Sequence, residues 1–167
     1  MRTKIWHQMI AARYKAIYLS HFNSFMHRFE RLLGMITAVA ASGMVGSWVL
    51  WRDIPWVWAA IIAIAQLTKA LKPRQPFLSD QKLLLEMYVF YQQHHHDWEC
   101  FWEEMAANKF EEDALRDHYF DLKASVLEED ARTAHLHIPE WRFVVRKAER
   151  DFQLYLQTNH QVTKTNG

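Results

Sequence analysis

The sequence predicts an all-helical membrane protein, and three observations lead to this fold class. The 167 residues include only four glycines and four prolines, which excludes turn-rich and low-complexity chains and favours long helices. Apolar residues recur at steps of three and four along much of the chain, as on amphipathic helices. Two long uncharged runs, 32–51 and 54–68, lie in its first half.

The first predicted element is an N-terminal amphipathic helix over residues 1–31. This segment carries six basic side chains against the single acid Glu30. Its apolar stripe consists of Ile5, Met9, Ala12, Ala16, Leu19, Phe22 and Met26. A basic helix with one apolar side is expected to pack that side against a partner.

The next element is a predicted two-span transmembrane hairpin over residues 32–72. A helix of twenty uncharged residues spans roughly 30 Å, the hydrocarbon thickness of a bilayer. The shorter run 54–68 is extended by Lys69, whose ammonium can reach the headgroups. The tip carries an aromatic belt of Trp48, Trp51, Trp56 and Trp58. The alternative is a buried hairpin inside a soluble helical bundle.

Basic residues predict the orientation of the hairpin. They flank both outer ends of the two spans, whereas Arg52 at the tip is balanced by Asp53. The positive-inside rule therefore places both termini in the cytoplasm.

A cytoplasmic helical region is predicted over 79–157, followed by a flexible tail over 158–167. Ser79 and Asp80 provide N-cap chemistry for its first helix. That helix has the apolar face Leu84, Met87, Tyr91, Trp98, Phe101 and Met105. A helix from about Glu111 has the face Leu115, Tyr119, Leu122 and Val126. The last helix restarts at Ile138 and Pro139, with the face Trp141, Val145, Ala148, Phe152 and Tyr155. Residues 80–130 contain fourteen acids and four bases, a net charge of −10.

Small residues occupy every fourth position of the first predicted span, at Gly34, Ala38, Ser42 and Gly46. In lipid, helices associate by close backbone approach through such residues. Polar side chains at membrane depth are those of Thr37, Ser42, Ser47 and Gln66, which are stable facing each other or water. The pattern predicts a homo-oligomer that lines a pore, or the packing of two helices within one chain.

Residues 94–100 contain the main candidate metal site, and the pair His135 and His137 is a weaker one. His95 and Glu99, and likewise His96 and Cys100, share helix faces at i, i+4, with ligand types that suit zinc. The alternatives are a solvated polar patch or a pH-sensitive contact between helices, because one helix face offers only two ligands. The chain has no nucleophile elbow, phosphate loop or dinucleotide fingerprint. We therefore expect neither an enzyme nor a cofactor.

A basic helix leading into a tight two-span hairpin and then a capped helix resembles the SLATT family of bacterial membrane effectors. The resemblance covers about the first 105 residues and is one of layout. It is carried by residues 11–16 (AARYKA), by 34–51 and 54–69, and by Ser79 and Asp80. Within that family, the layout is most similar to the membrane effectors of Hailong-type defence systems.

The resemblance implies an oligomeric pore or ion channel, such as a tetramer, in the bacterial inner membrane. It further implies anti-phage defence through membrane depolarisation and growth arrest. Control would come from a nucleotide or oligonucleotide made by a partner nucleotidyltransferase. An anionic ligand needs cations, and Arg142, Arg146 and Arg150 form one basic edge at i, i+4, i+8; the alternative is that they pair with the acidic helices. The competing function is a non-conducting membrane scaffold whose acidic tail recruits a partner protein.

Overall fold

The computed structural model describes residues 1–41, 56, 59–60, 63, 66, 81–109, 111–136 and 138–159. All regular structure in these residues is helical, which confirms the all-helical class for this part of the chain. Four helices follow each other in order: α1 (Arg2–Ala41), α2 (Gln81–Ala106), α3 (Glu112–Thr133) and α4 (Arg142–Asn159). Among the described residues, no helix combines the length and the apolar character needed to cross a membrane.

The chain divides into two compact units. The first, here called the helical unit, joins Met1–Phe22 with Lys82–Gly167, and the second covers Asn23–Gln81. The start of the predicted N-terminal helix therefore belongs to the same unit as the predicted cytoplasmic region. Helix α1 itself continues without interruption from Arg2 to Ala41, past the predicted boundary at residue 31.

The core of the helical unit lies between α1 and α2. All seven residues of the predicted stripe on α1 are buried, and so are all six of the predicted face on α2. One connected cluster comprises Ile5, Met9, Ala12, Trp98, Phe101, Met105 and Tyr119. Each large side chain removed from water in this way contributes roughly 1.5–3 kcal/mol before the entropy of ordering is subtracted.

Helix α3 packs less deeply than its sequence predicts. Tyr119 is buried, but Leu115, Leu122 and Val126 are only half-buried. Towards its end the buried positions are Glu129 and Thr133. The Glu129 carboxylate accepts two hydrogen bonds from Arg132, at 2.9 and 3.0 Å, which compensates its removal from water.

Helix α4 starts at Arg142, three residues after the predicted restart at Pro139. Its inward side is centred on Val144 and Ala148, while Val145, Phe152 and Tyr155 are half-buried. The sequence pattern did not indicate Val144 as a core residue. The helix is held to α1 by the contact of His21 Nε2 with Asp151 Oδ2 at 2.8 Å.

A Schellman motif ends α2 and turns the chain towards α3. Asn108 has a φ of 52° and follows the last helical turn. The Lys109 N–H donates to the Glu104 carbonyl, and the Asn108 N–H donates to the Met105 carbonyl, both at 3.1 Å. These bonds satisfy carbonyls that the end of a helix otherwise leaves without partners.

In the second unit the structure describes residues 23–41 of α1 and the helical positions Trp56, Ala59, Ala60, Ala63 and Gln66, all five of them exposed. The larger part of the predicted hairpin lies outside the described residues. This applies to Ser42, Gly46 and Ser47, to Trp48, Trp51 and Trp58, to Arg52 and Asp53, to Lys69, and to the predicted N-cap at Ser79 and Asp80. The last eight residues of the predicted tail, 160–167, lie outside them as well.

Candidate functional site

The helical unit contains a cleft of about 410 Å³, here called the tyrosine cleft. One wall is the middle of α1, and the others come from α2, from the end of α3 and from the start of α4 with the chain preceding it. Its lining has three tyrosines (Tyr14, Tyr18, Tyr91), four aliphatic side chains (Leu19, Met87, Ile138, Val145) and three charged residues (Lys15, Asp130, Glu140). This volume falls in the range of small-molecule sites.

A hydrogen-bonded triad crosses the cleft and links α1, α2 and α3. Lys15 Nζ donates to Tyr91 Oη at 2.9 Å, and Tyr91 Oη donates to Asp130 Oδ1 at 2.8 Å. Lys15 Nζ is also 3.7 Å from the Asp130 carboxylate. Tyr91 is 2% exposed, so its hydroxyl depends on these two partners. Burial, followed by the hydrogen bond to Asp130, raises the pKa of Tyr91, which keeps the phenol protonated.

The other two tyrosines shape the opposite side of the cleft. Tyr18 Oη donates to the Pro139 carbonyl at 2.8 Å and so fixes the segment that precedes α4. Burial, with a contribution from the negative charge of Glu140, raises the pKa of Tyr18 to about 12. The Tyr14 ring meets the Phe152 ring edge-on at 5.4 Å. All three phenols are therefore neutral at physiological pH, and each ring already contacts another side chain: Tyr14 meets Phe152, Tyr18 stacks on Phe22, and Tyr91 lies under the Lys15 ammonium.

The charges of the cleft limit the ligand it can take. One cation, Lys15, faces two carboxylates, Asp130 and Glu140, so the lining carries a net charge of −1. A phosphate group requires cationic or N–H donors, which this lining does not supply in excess. Aromatic walls with carboxylates instead suit a planar group that donates N–H bonds, such as a nucleobase or another amino-substituted heterocycle.

A second, smaller groove of about 260 Å³ lies on another side of α1 and is more polar. Arg13 Nη1 donates to Gln92 Oε1 at 3.2 Å, and the guanidinium sits 4.6 Å from the centre of the Tyr155 ring. The groove also contains the His21–Asp151 contact. The Arg13 Nε is buried and has no hydrogen-bond partner among the described residues.

The predicted basic edge of α4 lies apart from both cavities. Arg142, Arg146 and Arg150 are exposed, and none of them lines the tyrosine cleft or the polar groove. Arg150 Nε contacts the neighbouring Asp151 at 3.2 Å. In the described structure no ion pair joins this edge to the acidic helix α3.

The four predicted metal ligands separate into two pairs on different sides of α2. His95 is buried, with Nδ1 3.2 Å from the Met9 carbonyl and Nε2 3.1 Å from Glu99 Oε1. His96 and Cys100 are exposed, with Nε2 and Sγ 3.7 Å apart. Across the described ranges, no group of three or more His, Cys, Asp or Glu side chains is arranged to hold a metal ion.

The histidine triplet is used in part for packing, and His95 makes a contact between helices of the kind given as an alternative to metal binding. His94 stacks on Phe90 at 5.5 Å between ring centres and accepts a hydrogen bond from Trp98 Nε1 at 2.6 Å. Burial lowers the pKa of His94, so the ring is neutral and able to accept that bond.

Four of the predicted pore or packing residues fall on described positions. Gly34 and Ala38 are exposed, and so is Gln66. A methyl group added at Gly34 would meet nothing within 4 Å beyond the adjacent chain and its own helix backbone. The Thr37 hydroxyl donates to the Leu33 carbonyl one turn earlier. The described members of the small-residue stripe thus lie on an open face of α1.

The tyrosine cleft itself was not predicted as a site. Tyr91 was assigned to the core by its spacing, and Tyr14 and Lys15 lie within the segment that carried the family resemblance. The sequence places Lys15 among the bases that could hold an anionic ligand, but it does not indicate that Tyr91 and Asp130 lie beside it. Comparisons of the chain with protein-family models, with curated proteins and with solved structures find no match.

Proposed function

We propose that this protein is an oligomeric membrane pore or ion channel of a bacterial anti-phage defence system. Both termini would lie in the cytoplasm, at the inner membrane. A nucleotide signal from a partner nucleotidyltransferase would control the pore, and its opening would depolarise the membrane and arrest growth. The support is the two uncharged runs with their flanking bases, the family resemblance, and a ligand-sized cleft in the helical unit.

The main observation behind the proposal is that one helix, α1, both lines the tyrosine cleft and continues into the first uncharged run. One wall of the tyrosine cleft is formed by Tyr14, Lys15, Tyr18 and Leu19 of this helix. The helix then continues to Ala41, beyond the start of the first uncharged run at Leu32. A ligand shifts a conformational equilibrium only if it binds the two states differently. A ligand in the cleft contacts α1 together with three other chain segments, so it would stabilise one arrangement of the helix that enters the proposed pore.

The open face around Gly34 supports the oligomer. An exposed glycine and an exposed alanine one turn apart permit close backbone approach by another helix. In the proposed assembly, the stripe Gly34, Ala38, Ser42 and Gly46 packs subunit against subunit. Thr37, Ser47 and Gln66 then face neighbouring helices or the water of the pore.

The cleft supports control by a base-containing ligand. The aromatic and aliphatic lining of the cleft offers apolar contact, and its two carboxylates offer acceptors for N–H groups, as a nucleobase requires. The phosphates of such a ligand need cations from outside the cleft lining, and the predicted row Arg142, Arg146 and Arg150 lies apart from the cleft, so the cleft supports recognition of the base only.

Ion and dye flux from liposomes that contain the purified chain tests the proposal. We expect flux from the natural sequence, and its loss in Ser42→Leu and Gly46→Leu, because leucine prevents close approach at the stripe. Ala40→Leu adds comparable bulk to the same run on the side of the predicted helix opposite the stripe, so it serves as the matched control and should conduct.

Tight liposomes would be ambiguous if a missing ligand holds the pore shut, and expression in bacteria resolves this. Growth arrest with loss of membrane potential, relieved by Gly46→Leu, would support a closed channel. Tight liposomes together with harmless expression would overturn the pore and favour the non-conducting scaffold.

A further inference from the structure

Helix α3 has a second apolar stripe on the side that faces away from the core. Phe120 is 53% exposed and Leu127 is 68% exposed, and the exposed alanines Ala124 and Ala131 complete the stripe. These positions follow each other at steps of four, three and four, so they share one helix face. Tyr119 and Glu129 point to the opposite, buried side. Apolar side chains grouped on an outer face mark an interaction surface.

Acidic residues border this stripe along one edge. Asp117, Asp121 and Glu128 are all exposed, and none forms an ion pair within the described structure. Over its whole length α3 carries seven acids and three bases, a net charge of −4. The other edge carries Arg116, whose guanidinium lies 5.9 Å from the centre of the Phe120 ring, and Lys123. A partner that docks along the acidic edge therefore needs both apolar side chains and a row of cations.

Helix α4 carries a surface of that kind. Its exposed row Arg142, Arg146 and Arg150 is flanked by Phe143, 52% exposed, and Leu154, 62% exposed. The helix has four bases and two acids, a net charge of +2. Arg142 and Arg150 are eight residues apart, about 12 Å along a helix, and Asp117 and Glu128 are eleven residues apart, about 16 Å. The two rows are of comparable length.

From this complementarity we propose that the partner is a second copy of the chain. In this arrangement the arginine row of α4, with its neighbouring apolar side chains, docks on α3 of the next copy. There it meets the apolar stripe and the acidic edge beside that stripe. One face meeting a different face is a heterologous contact, which generates a ring when its rotation closes. The inference deepens the oligomer of the proposed function, since it locates a subunit contact in the helical unit.

Cross-linking of co-expressed full-length chains tests the contact directly. All variants carry Cys100→Ser, so that the introduced cysteine is the only one. Phe120→Cys in one tagged copy and Phe143→Cys in the other should give a covalent mixed dimer with a short bismaleimide. In the matched control, Gln93→Cys on the exposed side of α2 replaces Phe120→Cys. This pair should give at least about tenfold less product, because a specific interface fixes which positions of the two copies meet.

Charge reversal adds a readout that a folding defect would not mimic. Asp117→Lys with Asp121→Lys should cut the mixed dimer about tenfold, since like charges then face each other. The same pair combined with Arg142→Glu and Arg146→Glu in every copy should restore it. Equal cross-linking in all variants, or no rescue by the combined reversal, would overturn the proposal.

The outcome is independent of conduction. Cross-linked dimers, together with tight liposomes and harmless expression, would leave the α3–α4 contact standing and remove the pore. Flux without the specific cross-link would retain the pore and remove this contact.

Discussion

Asn108 shows how the backbone conformation of one residue affects the stability of the fold. Its φ of 52° lies in the left-handed region, where a β-branched side chain meets the following carbonyl. We expect Asn108→Val to lower the free energy of unfolding by about 1–2 kcal/mol. Asn108→Gly should stay within about 0.5 kcal/mol of the natural protein. Thermal or urea unfolding in detergent measures both, and equal losses in the two variants would contradict the role of the left-handed turn.

Tyr91 makes the stability of the helical unit dependent on alkaline pH. Its pKa is raised above the ordinary value of 10.0, so folding favours the protonated phenol. The resulting stability is fully present below pH 10 and is lost as pH rises through the folded pKa. Tyr18 and Tyr155, each with a pKa near 12, act in the same direction.

We therefore expect the unfolding temperature to fall above pH 10, and to fall less steeply in Tyr91→Phe, where one fewer phenol ionises on unfolding. At neutral pH the same variant should lose about 1 kcal/mol, because Asp130 loses a hydrogen-bond donor. Unfolding curves between pH 7 and 12 measure both effects. An alkaline slope identical to that of the natural protein would contradict this account of the triad.

At the level of the elements, α1 offers two adjacent alanines in opposite environments. Ala12 is 4% exposed and belongs to the core cluster between α1 and α2, whereas Ala11 is exposed. Leucine adds the same apolar bulk at both positions, so the difference between the variants isolates packing. We expect Ala12→Leu to cost about 1–3 kcal/mol and Ala11→Leu to stay within about 0.5 kcal/mol. A loss of similar size in both variants would show that the core between α1 and α2 is not closely packed.

Periodicity predicted α2 and the first part of α1 well, because one side of α2 is covered from Leu84 to Met105 and one side of α1 as far as Met26. Every residue of their predicted apolar faces is buried. On α3 the prediction was weaker, because apolar residues lie on two sides of that helix and spacing alone does not say which side meets the core. The outcome at Leu122, half-buried, and Leu127, exposed, depends on tertiary contacts.

Sequence patterns did not predict the tyrosine cleft, and for the histidines they gave a contact between helices as an alternative without its partners. Lys15, Tyr91 and Asp130 are separated by 76 and 39 residues along the chain and meet only through the packing of three helices. His94 and His95 are neighbours, yet one supports Trp98 and the other contacts α1. Spacing along one helix gives the relative direction of side chains but not the element each one faces.

For the whole molecule, the natural cysteine is a ready reporter of membrane orientation. Cys100 is the single cysteine of the chain and is exposed. If both termini are cytoplasmic, a membrane-impermeant maleimide should label Cys100 only after the cells are permeabilised. Asp53→Cys in a Cys100→Ser background places the reporter at the predicted hairpin tip and should be labelled in intact cells. Labelling of Cys100 from outside would reverse the proposed orientation.

The division of the helical unit along the chain has a consequence for its biosynthesis. Its first 22 residues leave the ribosome long before α2, which covers their apolar side in the finished fold. Ile5, Met9 and Phe22 therefore lack their native neighbours while residues 23–81 are translated. During that interval a chaperone, an insertase or a lipid surface competes for the nascent helix. The order of synthesis thus requires the uncharged runs to emerge before the helical unit can close.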